Sequence, residues 1–183
     1  MVRVKLTLGP AAPWLLLALG SLPAGGGTGT ATQTLSAILS PNGALSTPGT
    51  ATLSTSSKSF LPFTATVPVS YQVRTTPAGS GGTITLMVAS DFSPSGGPTA
   101  ASGALTYLCG GANLGTACSG TQTASTTTQT PVLSVPASAC TGGGGACSSQ
   151  NPNSVSLTFT LIDSPVYSTG TYSANITFTI SAM

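Results

Sequence analysis

Four cysteines, two aspartates and one lysine behind a run of hydroxyls are the side chains whose types and spacing could do chemistry. Cys109 and Cys118 stand nine residues apart, and Cys140 and Cys147 seven apart, the latter pair enclosing Gly142–Gly145. Thiolates at such positions either ligate a metal or oxidise in pairs. Zinc ligands normally come as cysteines two to four residues apart, a spacing this chain lacks. Three disulfide connectivities are possible. The expected one is Cys109–Cys118 with Cys140–Cys147, because each bond closes a short glycine-containing loop. A loop near ten residues contributes roughly 2–3 kcal/mol in the chain-entropy model.

The carboxylates are Asp91 and Asp163, and the chain has no His and no Glu. A Ser-His-Asp or Cys-His nucleophile is therefore excluded. A glycosidase would need both aspartates to flank one bond, and they fall in separate loop-like segments. Asp91, in Asp91-Phe92-Ser93-Pro94-Ser95-Gly96-Gly97-Pro98, is expected to accept backbone hydrogen bonds as a turn residue. Calcium is the sharper alternative there, and one carboxylate is a poor start for an ion that prefers several oxygen ligands. Lys58 follows Ser54-Thr55-Ser56-Ser57, but the Ser-x-x-Lys spacing fails because position 55 is Thr. The Gly142–Gly145 run lacks the Lys-Ser/Thr that completes a phosphate loop. Four basic residues, Arg3, Lys5, Lys58 and Arg74, are too few for a phosphate-neutralising patch. The expectation is a non-enzymatic protein with no cofactor, no metal and no nucleic-acid partner.

The N-terminus supplies the compartment. Arg3 and Lys5 precede the apolar stretch Trp14–Leu19, and small residues follow. Residues 1–24 read as a secretory signal peptide, cleaved after Ala24 or as late as Ala31. The apolar stretch is shorter than the ~20 residues a membrane span needs, and prolines interrupt it. The mature chain, 32–183, then keeps two cations against two anions, with no membrane span and an oxidising environment that favours disulfides. It is expected in the extracellular space or at the cell surface, after periplasmic transit in a Gram-negative cell. Charged residues are only 3% of the whole chain, and Ser and Thr together number 57 of 183. Hydroxyls must carry solubility.

The elements that position these residues are strands. Val155, Leu157, Phe159 and Leu161 alternate with Ser and Thr, as do Tyr172, Ala174, Ile176, Phe178 and Ile180. Such runs have one apolar and one hydroxyl face. Asp163-Ser164-Pro165 and Thr169-Gly170 lie between them and predict a hairpin with a longer loop. Val67–Val73 and Ile84–Val88 alternate in the same way, and the Gly/Pro-rich stretch 76–82 predicts a second hairpin. Pro68 predicts an edge position or a bulge. Weaker strands are expected at Gln33–Leu39, Thr50–Ser54, Ala104–Leu108, Thr121–Thr128 and Val132–Val135. Seven to nine short strands in one domain favour a two-sheet antiparallel β-sandwich of immunoglobulin-like type, with a small barrel as the other option.

Thr pairs one residue apart recur at Thr64/Thr66, Thr83/Thr85, Thr158/Thr160 and Thr177/Thr179. A flat Thr array can order water or bind a regular surface, as in ice-binding β-proteins. Thr is also simply a good strand residue that keeps an uncharged face soluble.

The C-terminal run Gly170-Thr171-Tyr172-Ser173-Ala174-Asn175-Ile176-Thr177-Phe178-Thr179-Ile180 resembles the closing strand of the spore coat protein U and chaperone–usher pilin group. Gram-positive WxL-type wall-binding domains end comparably. The pilin resemblance implies donor-strand complementation, in which an extended segment of one subunit fills a groove in the next. The matching segment is Gln33–Leu39, with Leu35, Ala37 and Leu39 as the donor side chains. The chain departs from the pilin pattern in having its first cysteine at Cys109. Two functions follow as expectations: a structural or adhesive surface subunit that self-associates or joins other subunits, or a monomeric extracellular module that binds glycan or another surface.

Overall fold

The computed structural model describes residues 33–38, 40, 42–55, 60–74, 81–136 and 152–182. The signal segment, Leu39, Lys58, Cys140, the Gly142–Gly145 run and Cys147 lie outside the described residues. The chain divides into two units, 1–37 and 38–183, and all the β-structure described here belongs to the second.

Period-two alternation becomes strand wherever it was strong. Nine strands follow one another among the described residues: β1 (Asn42–Ser46), β2 (Phe63–Arg74), β3 (Gly82–Ser93), β4 (Leu105–Gly110), β5 (Thr116–Ala117), β6 (Gln122–Thr123), β7 (Thr130–Val135), β8 (Asn153–Leu161) and β9 (Ser173–Ala182). One 3-10 turn, Ala100–Ser102, precedes β4. The strands form two antiparallel sheets, one in the order β1-β2-β8-β4-β6 and the other β5-β7-β3-β9. The apolar faces of both sheets make one core. Val69, Leu86, Val132 and Leu157 are completely buried in it, each contributing about 1.5–3 kcal/mol by leaving water. The protein is a two-sheet antiparallel β-sandwich.

Both predicted hairpins are absent. β2 and β3 lie in different sheets and do not pair. β8 pairs with β2 and β4, whereas β9 pairs with β3, so the 162–172 connection crosses between the sheets. Alternation states which face of a strand is apolar, and nothing about which strand sits beside it. Only β1 and β2 are consecutive strands that pair.

The weaker expectations fared unevenly. Ala104–Leu108 and Val132–Val135 are the cores of β4 and β7. Thr50–Ser54 shrinks to one bridge, Ser54 to Thr64. Of Thr121–Thr128 only Gln122–Thr123 is strand. The rest turns because the Ser125 hydroxyl accepts the N–H groups of Thr127 and Thr128. Gln33–Ile38 forms no strand, since two alternating apolar side chains give little to bury.

Pro68 occupies the expected edge. Thr64 exchanges both backbone hydrogen bonds with Ser54, on the side of β2 away from β8. Residues 66 and 68 point their backbone groups the same way, by the alternation of the ladder. β1 reaches only as far as Ser70 on that side. The proline therefore faces a gap where no donor is needed, and the β2–β8 register passes it without a shift.

Candidate functional site

The Cys109–Cys118 disulfide is present, with Cα atoms 5.3 Å apart. Cys109 lies in β4 of the five-stranded sheet. Cys118 follows β5, and its N–H bonds Val132 O of β7 in the other sheet, 2.9 Å. The bond thus staples the two sheets. The enclosed loop is further sealed: Asn113 Oδ1 accepts the Ser154 N–H at 2.6 Å, and the buried Tyr71 hydroxyl donates to Leu114 O. Gly115 turns the loop at φ +85°, where a Cβ would come 2.5 Å from Ser134 O, so only glycine fits. Changing both Cys109 and Cys118 to serine is expected to cost roughly 2–3 kcal/mol, read as a lower urea midpoint with the same β-sheet circular dichroism. The expected Cys140–Cys147 partner bond lies outside the described residues.

Asp91 organises a loop. Its Oδ1 accepts the N–H of Phe92 at 2.8 Å and of Ala100 at 2.7 Å. Its Oδ2 accepts the Thr99 hydroxyl at 2.5 Å and the Ala101 N–H at 3.2 Å. Burial by itself would raise this carboxyl. The hydrogen bond from Thr99, then those from Ala100, Phe92 and Ala101, outweigh it and hold the carboxyl below its ordinary range. Both oxygens are thus occupied by donors from the chain. Asp163 accepts the N–H of its own neighbour Ser164 at 2.8 Å. No hydrogen bond joins the two aspartates among the described residues, and no group of three or more His, Cys, Asp or Glu could hold a metal there. No helix among the described residues is long and apolar enough to cross a membrane.

Tyr172 of the Gly-x-Tyr motif does not enter the core face assigned to it. It is half-buried, just before β9, and donates its hydroxyl to Ser168 O at 2.7 Å. Its ring lies against Gly97, where an added Cβ would come 2.2 Å from Cε1. Together with the 2.8 Å bond from Ser168 N–H to Gly96 O, it pins the Gly96-Gly97 loop to the entry of β9. The glycine pair was the available sequence signal, and it gave no partner.

Among the potential donor residues, Leu35 and Ala37 belong to no strand, and Leu39 lies outside the described residues. An acceptor geometry exists at β9. This strand ends the four-stranded sheet, has ten residues, and contains neither charge nor proline. Its inward side chains stand in register with those of β3: Ile180 opposite Ile84, Phe178 opposite Leu86, Ile176 opposite Val88. The β3 members are 1%, 0% and 1% exposed, whereas Ile180, Phe178 and Ile176 are only half-buried. Among the described residues this row has a strand partner on one side alone. β1 of the other sheet crosses near its end, with Gly43 close enough that a Cβ would touch Ile180 at 3.0 Å.

No protein-family model, no curated protein and no solved structure matches the chain.

Proposed function

We propose that the chain is an exported, non-enzymatic structural or adhesive cell-surface protein whose copies join by strand complementation, in the manner of a pilin-like subunit. The observation that carries this reading is the β9 edge. Long, uncharged edge strands are templates for pairing with another chain, and monomeric proteins normally blunt them with lysine, proline or a bulge; the β3–β9 ladder shifts register only before Ile176, and Ile176–Ala182 pairs without a shift. Here Thr177 and Thr179 face solvent with no charge nearby on the strand, and among the described residues no strand pairs with β9 beyond the half-covered row of Ile176 and Phe178. The donor in this reading is the alternating segment 33–39 of another copy, with Leu35, Ala37 and Leu39 continuing the apolar row. The near-zero charge of the exported form removes the repulsion that would keep copies apart.

The exported form is expected to give a concentration-dependent ladder of oligomers in light scattering and cross-linking. Deleting residues 32–40 should return it to monomer, as should Thr177→Lys with Thr179→Lys, which place charge on the β9 edge. A protein that stays strictly monomeric with or without residues 32–40 overturns the proposal. The glycan-binding alternative gains no support from the five-stranded sheet: the outward positions of β2, β8 and β4 hold no aromatic ring on which a sugar could stack.

A further inference from the structure

The registers of the five-stranded sheet bring separated Thr pairs into one array. Thr64 stands opposite Thr160, Thr160 opposite Thr106, and Thr106 opposite Thr123. This is an unbroken row of four threonines across four adjacent strands. The next row is Thr66, Thr158 and Leu108, and the third Pro68, Ser156 and Gly110. All these residues lie on the outward face, since the alternating inward positions Val67, Leu157 and Tyr107 are buried. Strand spacing sets the mesh at about 4.8 Å across the strands, and two residues set it at about 6.7 Å along them.

Two properties make this face more than a soluble strand surface. The first is regularity. The β2–β8 ladder runs through nine residue pairs and the β4–β8 ladder through six without a register shift. The outward face of the other sheet achieves the same solubility without that order. Its ladders shift register between Ile84 and Thr85, between Val88 and Ser90 and between Ser90 and Ser93. The second property is chemistry. The outward positions from Thr64 to Gln72, from Ser154 to Thr160 and from Thr106 to Gly110 carry no charge. Each threonine adds a methyl group and a hydroxyl able to order adjacent water, the Thr106 hydroxyl also donating to Thr160 O at 3.4 Å. Thr66 and Thr158 also bond each other, 3.3 Å between hydroxyl oxygens, which holds two nodes of the mesh in place.

A partner for such a face must be uncharged, planar, hydrogen-bonding and periodic. A polysaccharide crystal presents hydroxyls too, but its recognition relies on stacking aromatics, and none faces outward here. We propose that this face binds ice. Water held on a fixed hydroxyl–methyl mesh is already ordered, so joining it to a growing crystal costs little further immobilisation entropy. Sheet twist, about 20–25° between neighbouring strands, confines the match to the central β2, β8 and β4.

The test is partition of the exported protein into slowly growing ice, with thermal hysteresis and ice recrystallisation measured in parallel. The wild type should be incorporated into ice and slow recrystallisation. Thr158→Tyr and Thr160→Lys should lose both properties while keeping the wild-type melting curve. Thr179→Lys, on the other sheet, should keep both properties, and this separates the proposal from strand assembly at β9. Exclusion of the wild type from ice overturns the proposal. So does retention on crystalline cellulose that the same Thr158 and Thr160 changes abolish, in the absence of any ice activity.

Discussion

Tyr107→Ala is expected to remove about 4–5 kcal/mol of stability, the upper range for truncating a large aromatic in a core. For a domain of ordinary stability, about 5–15 kcal/mol, that leaves a substantial unfolded population. Tyr107 is 1% exposed, and its ring packs on Phe159 with centroids 5.7 Å apart. Its hydroxyl crosses from the five-stranded sheet to the other, 2.8 Å from both Thr130 Oγ1 and Pro131 O. Alanine therefore leaves a cavity and strands a polar pair. Tyr107→Phe separates the two effects, because it keeps the ring and loses only the hydroxyl bridge, at about 1–2 kcal/mol. Urea unfolding of both variants gives the comparison. A loss in Tyr107→Phe equal to that in Tyr107→Ala would mean that the bridge, not the packing, joins the sheets.

The same residue defines the alkaline side. Burial pushes the Tyr107 and Tyr71 phenols up, against the smaller lowering from their hydrogen bonds. A raised phenol favours the neutral form in the folded state. Its stabilisation is complete below the unfolded value, about 10, and is lost as pH rises from there through the folded value. Tyr107→Phe should lose less stability than the wild type over that window.

Residue patterns made the layers legible and left the order of strands hidden. Leu157 and Phe159 announce their face by alternation, and the structure buries them as the pattern requires. Whether β8 lies beside β9 depends on loops such as 162–172, whose turn residues permit a hairpin and a crossover equally. β1 and β5 were invisible because Asn-Gly-Ala-Leu-Ser and Thr-Ala have no strand signal of their own; they are strands because β2 and β7 offer them a ladder. The Cys109–Cys118 bond was readable from spacing, since it closes a loop between cysteines nine residues apart. The Thr row was half-readable: each pair was visible, but the registry across four strands exists only once the ladders are known.

Asp91 gives the second large effect, and its charge is what matters. It joins the end of β3 to residues 99–101, and four donors converge on its two oxygens. Asp91→Ala leaves the Ala100 N–H and its neighbours without that acceptor and is expected to cost roughly 2–3 kcal/mol. Asp91→Asn should cost nearly as much. An amide has one acceptor oxygen, so its NH2 must face either the Phe92 and Ala100 donors or the Thr99 and Ala101 donors. The pH dependence follows from the same geometry. The folded-state carboxyl titrates below its ordinary value, so its stabilisation is present above the unfolded value, about 3.9, and fades as pH falls through the folded one. Thermal melts between pH 2 and 6 should show the wild type losing stability below about pH 4 and Asp91→Asn losing less over the same range. An Asp91→Asn protein that kept the wild-type slope would place the acid sensitivity elsewhere and reduce Asp91 to an uncharged turn residue.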